Sequence, residues 1–194
     1  MPDADAPSGR RVSVTIVRMA THQVGPQSGT LKVKTYREGI AQKIGHDLVI
    51  EVEGWDATID AGPDGAIEAV RLNADPTSLQ VREGHNGVKA LTDKDRNDIR
   101  GSIDEKVLRG KPIAFTSTAV EPRDGGVTVR GDLTMAETTK PASFDVDVSG
   151  DGHVVGTLPV TQSDWGIKPY KAFMGALKVR DEVEIVLDVR LPAA

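Results

Sequence analysis

Two stretches decide the fold: Val127-Thr128-Val129-Arg130-Gly131-Asp132-Leu133-Thr134-Met135 and Glu182-Val183-Glu184-Ile185-Val186-Leu187-Asp188-Val189-Arg190-Leu191. In the first, Val127, Val129, Leu133 and Met135 share one parity, and Thr128, Arg130, Asp132 and Thr134 share the other. In the second, Val183, Ile185, Leu187, Val189 and Leu191 stand against Glu182, Glu184, Asp188 and Arg190. A period of two describes a strand with one dry and one wet face. Several such strands in series, joined by Gly-rich turns, predict an antiparallel barrel or sandwich. A barrel has an interior, and its contents decide what the protein does.

The same pattern extends towards the N-terminus. Leu31-Val33-Thr35 alternate with Lys32-Lys34-Tyr36, and Leu48, Ile50 and Val52 with Asp47, Glu51 and Glu53. At Gly54 the parity switches to Trp55-Ala57-Ile59, which predicts a bulge or a barrel corner. Gly62-Pro63-Asp64-Gly65 is a turn by composition, and residues 67–74 return as a strand. Between residues 77 and 108 the alternation disappears. Ile99, Ile103 and Val107 recur every four residues, on one helical face. Thr92 with Asp93 and Asp95 has the chemistry of a helix start, and Gly110 before Lys111-Pro112 that of a helix stop. Strands resume at Ile113-Phe115-Ser117 and continue through residues 127–135, 142–148, 154–161 and 177–191. The reading is an all-β, single-domain antiparallel barrel of about eight strands over residues 29–191. One helix is inserted near residues 93–109, and residues 1–28 precede the barrel as a flexible extension.

Composition narrows the function. The 194 residues fit one domain, and 38% apolar content supplies a core. A net charge of -5 is unsuited to a nucleic-acid partner. There is no cysteine, hence no disulfide and no thiolate metal site. No apolar run reaches the length of a membrane span. Residues 1–10 have the Pro, Asp, Ala, Ser and Gly content of a disordered tail. Residues 12–17 are too short and too polar for an export signal, which gives a cytoplasmic expectation, with Met19 an alternative natural start. His22, His46, His85 and His153 show no metal-ligand spacing, so no metal is expected. No nucleophile elbow, phosphate-binding loop or dinucleotide fingerprint occurs.

Four segments, in order, resemble the YceI-like family of lipocalin-like polyisoprenoid-binding proteins. They are residues 45–60 around Gly54; Asn97-Asp98-Ile99-Arg100-Gly101-Ser102; Lys111-Pro112-Ile113-Ala114-Phe115-Thr116-Ser117-Thr118; and Val129-Arg130-Gly131-Asp132-Leu133-Thr134-Met135 followed by Thr139-Lys140-Pro141. The last is similar to the family's hairpin, in which a Thr-Lys-Pro run follows the first strand. Arg37-Glu38-Gly39 stands near the family's early histidine, and Ile103 and Val107 replace its aromatic helix pair. The resemblance implies an eight-stranded barrel holding one long apolar lipid, often as a homodimer.

On this reading the protein binds an isoprenoid, quinone or fatty-acyl type of molecule for transport, storage or sequestration, without turnover or cofactor. Leu48, Ile50, Phe115, Leu133, Phe144 and Ile185 would contact the tail. Trp165, Tyr170 and Phe173, in a Gly- and Pro-containing loop, would close the mouth. Lys168 or His46 would orient a head group. Two rivals remain: an enzyme using His46 as base in the same cavity, and a filled barrel serving as a stress-response or protein-interaction module.

Overall fold

The computed structural model describes residues 20–191. Residues 1–19, with the predicted tail, the short apolar stretch and Met19, lie outside the described residues. The chain forms β1 (Ala20–Val24), β2 (Gly29–Thr35), β3 (Arg37–Glu38), β4 (Asp47–Val52), β5 (Trp55–Ala61), β6 (Ile67–Ala74) and β7 (Leu79–His85). After α1 (Asp93–Ser102) come β8 (Ile113–Arg123), β9 (Gly126–Met135), β10 (Thr138–Val148) and β11 (His153–Thr161). β12 (Lys171–Ala172), β13 (Leu177–Val179) and β14 (Glu182–Arg190) complete it.

Eleven strands make one antiparallel sheet in the order β1-β5-β6-β8-β9-β10-β11-β14-β2-β4-β7. The class is the predicted one, with more strands than the expected eight. Two strands not anticipated from the sequence, β1 and β7, enlarge this sheet, and a third difference lies outside it. β1 precedes Gly29 and pairs with β5, Ala20 opposite Ala61; it carries one buried residue, Val24, too few to show alternation. β7 falls inside the stretch where alternation fades, because only Leu79 and Val81 are buried. The expected final strand is two, β13 and β14, and β13 joins β12 and β3 in a separate small sheet.

The sheet curls on itself. β4 lies beside one edge strand and β5 beside the other, yet only Glu53 and Gly54 connect them. Two residues cannot span a flat sheet eleven strands wide, so the flanks must meet. Gly54 donates its N–H to Ser78 Oγ at 2.9 Å and its carbonyl accepts from Asp75 N at 2.7 Å, so it turns the corner that the parity switch predicts.

The helix begins as expected. Thr92 Oγ1 accepts from Asp95 N at 3.2 Å, and the Asp95 carboxylate accepts from Thr92 N at 2.9 Å, a reciprocal cap. It ends differently: α1 widens after Ser102 into a π-type turn over Ile103–Leu108, and Arg109 takes a left-handed conformation ahead of Gly110. Ile99, Ile103 and Val107 still pack together against the core. α1 lies along β7, where Arg96 Nη1 donates to the carbonyls of Val81 and Arg82 at 2.9 and 2.6 Å.

Candidate functional site

The curled sheet encloses a cavity of about 830 Å³. Its walls come from both flanks: Leu48 and Ile50 of β4, Ile59 of β5, Phe115 of β8, Leu133 of β9 and Ile185 of β14 all border it. Parity explains this. β4 offers Leu48, Ile50 and Val52 inward, β9 offers Val127, Val129, Leu133 and Met135, and β14 offers Val183, Ile185 and Leu187. Their neighbours of opposite parity are mostly charged.

The interior is not filled by its own side chains. Val129 and Val154 are buried, but Leu48, Phe144, Leu158, Ile185 and Leu187 keep partial accessibility although they face inward. Packed cores leave few voids larger than a water molecule. Accessible aliphatics on an inner wall therefore measure open space.

Deep in this space Phe115 and Phe144 meet edge to face, with ring centroids 5.4 Å apart. A glycine makes room for this. Gly131 lies on the inward parity of β9, and a Cβ there would sit 2.6 Å from Phe115 Cζ and 2.3 Å from Thr116 O. The break in the Val-Val-Leu-Met series is thus where an aromatic ring crosses the neighbouring strand.

A lining residue can also be strongly exposed only where a cavity meets solvent. Ile44, Val88, Tyr170 and Phe173 are such residues, and they mark the mouth. Three loop segments knit it together. Val179 pairs with Arg37 across β13 and β3, and Ala41 N donates to Ala176 O at 2.9 Å. Asp47 joins two segments: Arg37 N donates to Oδ1 at 2.9 Å and Asn86 Nδ2 to Oδ2 at 2.8 Å. Burial raises the Asp47 pKa, but these hydrogen bonds and the charges of Arg37 and Arg180 outweigh it and hold the carboxyl below its ordinary range. His46 Nε2 lies 2.6 Å from the Lys89 carbonyl oxygen.

Nine of the residues singled out from the sequence border the cavity: Leu48, Ile50, Phe115, Leu133, Phe144 and Ile185 in the wall, and His46, Tyr170 and Phe173 at the mouth. Trp165 and Lys168 do not. A short 3-10 turn, Gln162–Trp165, ended by Gly166 in a left-handed conformation, carries the Trp165 ring into the protein. There its Nε1 donates to Leu133 O at 3.0 Å, which pins the ring behind the wall. Lys168 is exposed, off the lining.

The structure adds lining residues that sequence reasoning passed over. Thr35 continues the inward parity of Leu31 and Val33, so its signal was present; its buried Oγ1 has no hydrogen-bond partner among the described residues. Leu91 and Lys89 sit in a loop without periodicity, and Asp95, Asp98 and Ile99 bring the start of α1 to the cavity. Asp95 is held below its ordinary pKa by the hydrogen bonds from Thr92. Among the described residues no cluster of His, Cys, Asp and Glu could hold a metal ion.

The sequence model of the YceI-like domain matches residues 31–191, most of the chain and all but the first strand of the main sheet. This chain belongs to the YceI-like family. Solved structures of that fold are similar to it. Burkholderia cenocepacia BcnA shares 19% identity with a TM-score of 0.59, over 84% of this chain and 96% of that one. The Campylobacter jejuni YCEI protein shares 14% identity with a TM-score of 0.53, over 75% of this chain and 85% of that one. A mutant form of the latter, solved with a monobromobimane guest, is 13% identical with a TM-score of 0.55, over the same 75% and 85%. At such identities the likeness concerns the fold. Among curated proteins none matches significantly. No helix among the described residues is long and apolar enough to cross a membrane.

Proposed function

We propose that this YceI-like domain is a carrier or store for a long apolar molecule of isoprenoid, quinone or fatty-acyl type, held tail-inward without turnover. The observation that carries the reading is the unfilled cavity of about 830 Å³, walled by aliphatic residues and open at one end. Its volume falls in the range of small-molecule sites, about 300–1,000 Å³. A tail placing ~15 methylene-sized groups inside gains roughly 12 kcal/mol at about 0.8 per group. Association costs of at least about 4 kcal/mol leave roughly 8, a micromolar affinity.

Polarity sets the orientation. The deep wall offers Val127, Val129, Leu133 and the Phe115–Phe144 pair, and the polar lining gathers at the mouth with His46, Lys89, Thr92 and Asp95. His46 lies at the mouth, where its Nε2–H donates to the Lys89 carbonyl and fixes the orientation of the ring.

Native mass spectrometry of protein purified from cells tests the proposal: an added lipid mass supports it. Leu187→Trp pushes an indole into the open wall, so uptake of a fluorescent fatty-acid probe should fall at least about tenfold with little loss of stability. A protein that carries no extra mass and ignores such probes contradicts the carrier reading.

A further inference from the structure

We propose that the mouth is also a docking surface for an anionic lipid bilayer, placing the cavity entrance against the membrane from which its ligand is drawn. This inference rests on the carrier reading above and adds the surface that loads it. The first observation is where apolar exposure falls. The exposed large apolar side chains among the described residues are Ile40, Ile44, Val88, Tyr170, Phe173 and Met174. All six belong to the mouth segments, and four of them border the cavity. Ile40 and Met174 border nothing and are essentially fully exposed. An apolar patch of this kind on a soluble surface marks an interaction site.

Backbone geometry points the same way. Phe173 and Met174 both adopt left-handed conformations, at φ of 49° and 53°. That region is unfavourable for large side chains. Both side chains are largely exposed on this backbone, Phe173 at 65% and Met174 fully.

Charge is the second, independent observation, and it selects the partner. Segments 37–46, 86–91 and 166–180 carry Arg37, Lys43, Lys89, Lys168, Lys171, Lys178 and Arg180 against a single acidic residue, Glu38, in a chain of net charge -5. The five lysines have no ion-pair partner among the described residues. Of the nearby carboxylates, Asp47 lies 3.9 Å from the Arg37 guanidinium and Asp98 pairs with Lys94, while Asp95, hydrogen-bonded by the neutral Thr92, keeps its charge beside the cavity. Apolar side chains that enter an acyl layer, surrounded by lysines that meet phosphate groups, are the two elements of attachment to anionic lipid. Here the apolar patch is continuous with the cavity lining. A tail leaving the bilayer would enter the barrel without crossing water, which removes the main cost of extracting it.

Flotation of the full chain with vesicles of phosphatidylcholine plus phosphatidylglycerol, against pure phosphatidylcholine, tests this. Binding should require the anionic lipid and weaken at least about tenfold when salt is raised from about 0.05 to 0.5 M. Ile40→Ser with Met174→Ser, and separately Lys43→Glu with Lys171→Glu, should each lower binding about tenfold or more. These residues lie off the cavity, so uptake of a soluble fluorescent fatty-acid probe and the melting temperature should stay at wild-type values. Equal binding to both vesicle types, no binding, or wild-type flotation by the variants overturns the docking proposal and leaves the carrier reading standing. So does a doubled native mass that Ile40→Ser with Met174→Ser abolishes, since a second copy would then cover the rim. Vesicle binding without any probe uptake removes the carrier reading instead.

Discussion

The chain has three phenylalanines, and the cavity uses them in two opposite ways. Phe115 and Phe144 stand in regular strands, where parity alone turns them inward; Phe115 is 6% exposed and meets its partner at 5.4 Å. Phe173 borders the same cavity from a loop, 65% exposed, on a left-handed backbone. The depth of the barrel is stabilised by burial, whereas the rim keeps apolar surface in water at a cost. One residue type thus separates what holds the protein together from what the protein offers to others.

Substitution sharpens that contrast. Phe115→Ala should destabilise by about 3–4 kcal/mol, the low half of the range for a buried phenylalanine because the ring already faces open space. Phe173→Ala should stay within about 0.5 kcal/mol, as for other exposed positions. Equal losses in chemical denaturation would break the distinction between depth and rim. Gly131→Ala comes next, at about 2 kcal/mol in the same measurement, since its new methyl group would meet Phe115 and the Thr116 carbonyl.

Acid should separate the regions without mutation. Asp47 has a lowered pKa in the folded state, so the unfolded chain binds this proton more tightly. The stabilisation is therefore present above the unfolded value and drains away as pH falls through the folded one. Below about pH 4, hydrogen exchange of residues 37–47 and 86–90 should accelerate while residues 127–135 remain protected. Asp47→Asn should produce the same loosening at neutral pH. Smallest of all, Met174→Gly should raise stability by about 0.5 kcal/mol: relief of the left-handed strain exceeds the added freedom of the unfolded chain. A loss there would mean that Met174 packs against something.

The legibility of the sequence follows the same division. Where a strand has one wet face, alternation identifies both the strand and its inward residues, which is why Leu48, Ile50, Leu133 and Ile185 could be named before any coordinates. Ile99, Ile103 and Val107 were legible through a different period. Failure came where backbone and side chain decouple. β3 and β12 have two residues each, too short for any period. β7 shows only two apolar positions because its remaining side chains face solvent or the helix start. Trp165 sits in a loop composition that suggests a rim, yet the left-handed Gly166 and the Leu133 carbonyl draw its ring behind the wall. The widening of the helix at Ile103 leaves the spacing of its apolar residues unchanged, so nothing in the pattern announces it.

One contact made by the inserted helix has a consequence for life at high concentration. β7 is a terminal strand of the sheet, and a terminal strand with bare carbonyls is a template onto which another chain can zip. The guanidinium of Arg96 occupies two of those carbonyls, at Val81 and Arg82, and α1 lies alongside. The helix therefore covers part of that strand's edge, leaving fewer of its backbone groups available for strand addition.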